Sequence, residues 1–271
     1  MSLLKSTIKK LFVFYNYFCF VLIFLIFFPL IYFFSRKPSR YINLNKVRKI
    51  WAYIGCTLSG IFIEKEFEIS PPYTHSGTGK NNSKDSVIYC SNHASFLDIL
   101  VMSQIADGGF FYLGKISLLK NPVLRIFFKT VDIAFDRESK TDSYRAFKQA
   151  GENLKEGRSL IIFPEGSMTA NPPKLRPFKS GAFKLAIELG VPIVPVTIIN
   201  SWEIFYGQGQ NGGSPGILKC FIHKSINTIN YTHLQEDELK NKVFSVIQNK
   251  LNSSLESQSL PQDWTQKPAI L

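Results

Sequence analysis

Residues 193–199 read IVPVTII, with Thr197 the single polar position. A strand of this composition offers no face to water, so both of its faces must be covered. That places it inside a sheet with helices on either side. A half-exposed strand would alternate apolar and polar residues instead. Outward from this stretch, further short apolar runs occur at 87–90, 110–113, 131–135, 160–163 and 217–222. Between them lie longer stretches of helical character at 97–104, 122–129, 142–155, 178–189 and 236–255. The alternation predicts an α/β layered domain with a largely parallel central sheet and flanking helices.

The chain has 271 residues, enough for one sizeable core and an appendage. Residues 71–86, PPYTHSGTGKNNSKDS, form a Pro-, Gly- and Ser-rich linker. GTGK within it lacks the spacing of a phosphate loop, and no strand precedes it. The expected division is N-terminal membrane-anchoring helices over 1–70, the linker over 71–86, the globular domain over 87–256 and an irregular tail over 257–271. Residues 206–216, YGQGQNGGSPG, read as a surface loop. Four cysteines, none in a C-x-x-C pair, read as reduced and structural.

The formal net charge is +12. Such an excess points to an anionic partner: nucleic acid, an anionic membrane surface or a phosphorylated substrate. The N-terminus favours the membrane. Residues 11–34 carry no charge, and as a helix they extend ~36 Å against a hydrocarbon core of ~30 Å. A cleaved signal peptide would have a shorter apolar stretch and a small-residue cleavage site. Asn16 interrupts the run slightly, and Pro29 removes a helical hydrogen bond and is a place for a kink or a re-entrant turn. Arg36, Lys37, Arg40, Lys46, Arg48 and Lys49 follow. If the segment spans, this excess puts the rest of the chain on the cytoplasmic side, where the same cations attract anionic headgroups. Residues 50–63 are too short to span and read equally as an interfacial helix or as the first core helix. No nucleic-acid motif is found.

The chemistry begins at residues 91–98, SNHASFLD, just after the apolar run VIYC. A neutral histidine nitrogen can take a proton from an alcohol, and a carboxylate on its other nitrogen fixes the tautomer. His93 and Asp98 have that potential. Spacing alone leaves open a purely structural pair. A metal site is not expected, because His75, His223 and His233 lack ligand spacing. A second cluster follows the run at 160–163: Pro164, Glu165, Gly166 and Ser167. It puts a carboxylate at a strand's carboxyl end, where open α/β sheets bind ligands. Arg176 and Lys179 precede a helix that would itself favour an anion. Taken singly, Glu165 reads as a turn carboxylate and the two cations as a solvated face. Arg137 ends another apolar run, and its planar fork suits phosphate.

Together these blocks resemble the glycerolipid acyltransferases typified by 1-acylglycerol-3-phosphate acyltransferase. N-H-x-S-x-x-D is matched by Asn92, His93, Ser95 and Asp98. The second block is matched by Lys115 and Arg137, F-P-E-G by residues 163–166 with Ser167 after it, and V-P-I-V-P-V by residues 191–196. The resemblance covers roughly residues 85–200 strongly and the N-terminal segment in general terms. It implies that His93 is a general base oriented by Asp98, acting on the hydroxyl of a lysophospholipid. Asn92, Ser95, Lys115, Arg137, Glu165, Gly166, Ser167, Arg176 and Lys179 are then the candidate substrate-binding residues. The acyl donor implied is acyl-CoA or acyl-carrier protein, with no cofactor and no metal, and the partners are membrane lipids rather than nucleic acid. Two positions depart from the family pattern. Met168 stands where an arginine usually follows the small hydroxyl residue, which puts the acceptor headgroup in question. Val123, Leu124 and Arg125 follow Pro122 where a glycine is common. A rival reading of another class is an idle lipid-binding protein, but a binder needs no base.

Overall fold

A computed structural model describes residues 2–69, 86–205 and 212–259. Most of the linker, much of the 206–216 loop and nearly all of the expected tail lie outside the described residues. The described chain runs α1 (Ser2–Ser35), α2 (Tyr41–Leu58), β1 (Ile61–Phe67), β2 (Ile88–Ser91), α3 (Leu97–Ile105), β3 (Phe110–Lys115), α4 (Pro122–Phe128) and β4 (Ile133–Phe135). It continues through α5 (Lys140–Lys155), β5 (Ser159–Ile162), α6 (Gly181–Leu189), β6 (Ile193–Ile198), α7 (Ser201–Ile204), β7 (Gly216–Ile222) and α8 (Glu236–Ser259).

The strands form one sheet in the order β1-β7-β6-β2-β5-β3-β4. All pairings are parallel except β6 with β7. Every residue of β6 is buried, as its composition requires. Local signals set several helix ends. Asn121 caps α4, its side chain accepting from the amides of Val123 and Leu124 at 3.0 and 3.1 Å, with Pro122 in the first turn. Gly190 ends α6 in the left-handed region at φ +63°.

Two expectations for the N-terminal part need correction. Residues 1–70 are not all helix: β1 pairs with β7 and belongs to the sheet. Of the two readings of residues 50–63, the core helix holds for the part that lies in α2: Leu44, Trp51 and Ala52 are buried in the core and Asn45 Nδ2 donates to the Phe110 carbonyl at 2.8 Å. Arg48, expected among the cations facing headgroups, turns inward. It forms a buried ion pair with Asp132 and lies over the Phe127 ring at 4.3 Å. Asp132 Oδ1 also accepts from the Tyr112 amide at 3.0 Å, so the pair fastens α2 to β3.

Helix α1 is long and apolar enough to cross a membrane, and it continues through Pro29. One face packs on the domain through Phe20, Ile23, Phe24 and Ile31. Trp51 Nε1 donates to the Phe20 carbonyl at 3.0 Å, and a Cβ on Gly55 would lie 2.3 Å from the Phe20 ring. The other face exposes Leu11, Phe14, Phe18, Leu25 and Ile26.

Away from the site, His223 is buried, with Nε2 at 2.8 Å from Thr197 Oγ1 and Nδ1 at 3.7 Å from Glu68. Burial pushes its pKa down to about 4, aided by Lys250 and opposed by Glu68. A depressed histidine pKa contributes stability that is fully present above the unfolded value of 6.5 and lost as pH falls toward 4. Replacing His223 by Gln is expected to remove roughly 3 kcal/mol of acid sensitivity over that window. Denaturant unfolding of both proteins at pH 7 and pH 4 measures it; parallel pH profiles would contradict it.

Candidate active site

Four parallel strands, β2, β5, β3 and β4, point their carboxyl ends the same way. His93 comes two residues after β2, Glu165 three after β5, and Arg137 two after β4, while Lys115 is the last residue of β3. Topology therefore gathers residues far apart in sequence along one edge, the usual ligand-binding edge of an open α/β sheet.

The turn after β2 builds a dyad. His93 Nδ1 lies 2.8 Å from Asp98 Oδ2. The same oxygen accepts from the amides of Ala94 and Ser95 at 2.7 and 2.8 Å. Asp98 is fully buried in the first turn of α3. The imidazole stacks on Phe163, with centroids 4.1 Å apart and planes 17° from parallel. Its Nε2 has no partner among the described residues, and the ring lines a cavity.

That cavity has a volume of about 340 Å³. Lys115, Arg137, Gly166, Ser167 and Met168 share its lining with His93, and Tyr17, Phe96, Leu118, Leu124 and Phe128 give it apolar walls. A second cavity of about 210 Å³ adjoins it, lined by Arg137, Gly166, Lys179 and Phe147 among others. Arg137, Phe163 and Gly166 wall both. Of the carboxylates among the described residues, only Asp132 lines either cavity, and Arg48 already engages it. Lys115, Arg137 and Lys179 thus leave an uncompensated positive rim around an apolar interior, which suits an anionic amphiphile. Burial lowers the Arg137 pKa somewhat.

Several candidate binding residues have other occupations. Asn92 is buried, with its amide donating to the Ile198 carbonyl and accepting from the Ile198 amide, each at 2.8 Å. It clamps the end of β2 to β6. Ser95 is also buried, its hydroxyl donating to the Phe205 carbonyl and accepting from the Leu97 amide. Glu165 uses both oxygens on backbone: Oε1 accepts from the His93 amide at 2.8 Å and Oε2 from the Arg176 amide at 2.7 Å. Burial raises its pKa, and those two amides and His93 oppose the rise. These three side chains brace the site from behind, because buried polar groups take the nearest complementary partner. None of the three lines either cavity. Arg176 does not line either cavity; it donates to Ser167 Oγ at 2.5 Å. Gly166 sits at φ +77°, a backbone conformation that favours glycine, and Lys179 Cε lies 2.8 Å from where a Cβ would stand.

Tyr17, Phe163 and the Arg48–Asp132 pair were not among the expected site residues. Asp132 did leave a signal: a carboxylate inside an apolar run demands a buried partner.

The site is thus a histidine–carboxylate dyad at the strand ends of a mostly parallel α/β domain, facing an apolar cavity with a cationic rim. Comparison with known proteins points the same way. Residues 73–199 match the family model described as Acyltransferase. It is 36% identical over 147 residues to a 1-acyl-sn-glycerol-3-phosphate acyltransferase of Haemophilus influenzae, covering 54% of this chain and 60% of that protein. It is 28% identical over 222 residues to the chloroplastic 1-acyl-sn-glycerol-3-phosphate acyltransferase BAT2 of Brassica napus, covering 79% of this chain and 58% of that one. The chain spans about half the length of these and similar curated relatives. Its fold is that of the 1-acyl-sn-glycerophosphate acyltransferase PlsC of Thermotoga maritima. The TM-score is 0.70 at 21% identity, with 92% of this chain and 98% of that chain covered.

Proposed function

We propose that this chain is a membrane-bound O-acyltransferase. It moves a fatty acyl group from an acyl thioester to the free hydroxyl of a lysophospholipid, 1-acylglycerol-3-phosphate foremost, giving phosphatidic acid. The observation that carries this reading is the His93–Asp98 pair at 2.8 Å with Nε2 unpartnered in a cationic-rimmed cavity. His93 Nε2 removes the hydroxyl proton as the oxygen attacks the thioester carbonyl. Asp98 holds the Nδ1–H tautomer and stabilises the imidazolium. The new ester forms as the carbon–sulfur bond breaks, and the imidazolium returns its proton to the departing thiolate. A thioester is already reactive, so one base and good positioning supply much of the rate. Lys115, Arg137 and Lys179 are the phosphate-holding groups in this reading.

The donor is acyl-CoA or acyl-carrier protein, and the chemistry calls for no cofactor beyond it. The exposed apolar face of α1 seats the protein in the bilayer, where acceptor and product reside. After its apolar segment Arg36, Lys37 and Lys46 are exposed and Arg40 is half-buried, and these cations favour a cytoplasmic position for the catalytic domain.

Arg137→Ala is expected to raise KM for phosphate-bearing acceptors by roughly 10- to 100-fold, the value of a hydrogen bond to a charged group. Turnover of a neutral monoacylglycerol is expected to change much less. Equal losses for both acceptors would make Arg137 structural. A second reading keeps the chemistry and changes the headgroup. It rests on Met168, a thioether wall of the cavity at the position where the family usually carries arginine. A panel of lysolipids with acyl-CoA separates the two: turnover confined to a non-phosphatidate acceptor selects the second.

A further inference from the structure

A third cavity, of about 580 Å³, lies between the end of α1 and the outer face of α4. Tyr32, Arg36, Tyr41, Arg125, Ile126 and Lys129 contribute to its lining. Among the described residues no carboxylate lines it, and none of its three cations forms an ion pair with a carboxylate. The walls are held in place: the Tyr41 hydroxyl donates to the Thr130 carbonyl at 3.2 Å, and the Arg36 guanidinium lies 5.4 Å from the Tyr32 ring centre. The cavity is not the catalytic one. Leu124 and Phe128 of α4 wall the His93 cavity, whereas Arg125, Ile126 and Lys129 present the helix's other side here.

We propose that this cavity binds the headgroup of an anionic glycerophospholipid. Its position fixes the ligand class. Arg36 follows directly on the apolar segment of α1, at the depth where hydrocarbon gives way to headgroups. Immediately before it, α1 exposes Leu25, Ile26, Phe28, Tyr32 and Phe33. A phosphate held by Arg36, Arg125 and Lys129 therefore has an apolar track beside it for its acyl chains, which a free phosphate ion would leave uncovered. A choline headgroup would bring a fourth cation into an uncompensated cluster. The site needs neither His93 nor the acyl-transfer reading, and it lies against the helix that walls the catalytic cavity.

The test uses the full chain in detergent micelles, titrated with phosphatidylglycerol or phosphatidylcholine of matched chains, with bound lipid counted by native mass spectrometry. Phosphatidylglycerol is expected to bind at least about tenfold more tightly, at ~1 kcal/mol per basic residue near an anionic headgroup. The R125E/K129E protein is expected to lose that preference and R125Q/K129Q to lose part of it. The neutral pair also guards against a folding defect in the reversal, which circular dichroism would reveal. K148E/K155E, the same charge change on exposed positions of α5, is expected to keep the preference, as is R137A. Equal binding of the two lipids overturns the proposal, as does a preference that survives R125E/K129E. Loss on R137A instead would put the lipid in the catalytic cavity, and displacement by millimolar inorganic phosphate would make this a free-anion site. Either result also overturns it.

Discussion

His93→Ala is expected to lower kcat by about 10²- to 10⁴-fold, the usual worth of a positioned general base. The protein is expected to fold and reach the membrane as before. The contacts that His93 makes through its backbone survive the change: its amide donates to Glu165, and its carbonyl accepts from Thr169 at 2.8 Å. Only the ring is lost, together with its stack on Phe163. Released thiol and lipid product, followed together with an acyl-CoA donor and lysophosphatidic acid, measure the effect. Turnover within a few-fold of the parent protein would remove the base assignment. Because the proposed reading assigns the acceptor phosphate to Lys115, Arg137 and Lys179, KM for the acceptor is expected to change little.

The two simplest changes at Asp98 are expected to differ, and the geometry says why. Ala94 and Ser95 both aim amide hydrogens at Oδ2. In Asp98→Asn an oxygen must stay at that position, so it still accepts from His93 Nδ1–H and the tautomer is kept. What is lost is the negative charge facing the imidazolium. We expect kcat to fall about 10²-fold, or ~2.7 kcal/mol of barrier. The new amide nitrogen takes the place of Oδ1, which is buried without a hydrogen-bond partner among the described residues. That should cost about 1–3 kcal/mol of stability. Asp98→Ala removes the orienting contact as well as the charge and is expected to cost about 10³- to 10⁴-fold in kcat. Steady-state kinetics and denaturant unfolding of both variants separate charge from orientation. An alanine variant as active as the parent would dissolve the dyad.

How much of this could be read beforehand depended on the range of the interactions. Six of the seven strands were legible because each is a short apolar run between turn signals. The missing one, β1, reads IFIEKEF, and its three charged residues lie largely exposed at the sheet's edge. It is a strand because its backbone pairs with β7, more than 150 residues later. Fully buried β6 announced the covered sheet, but nothing local announced that β7 runs against it.

By itself the sequence determined the long apolar N-terminal segment, the α/β alternation and the presence of a histidine, a carboxylate and several cations at strand ends. These are local properties of periodicity and residue type. Only the tertiary structure decided which polar groups face the cavity. Asn92 is spent on Ile198, Ser95 on Phe205 and Glu165 on His93, partners 106, 110 and 72 residues away. Arg48 left the surface cations for Asp132, 84 residues on. A buried polar atom must be satisfied by whatever the fold brings beside it, and that neighbour is set by topology rather than by the residue's own surroundings in the chain.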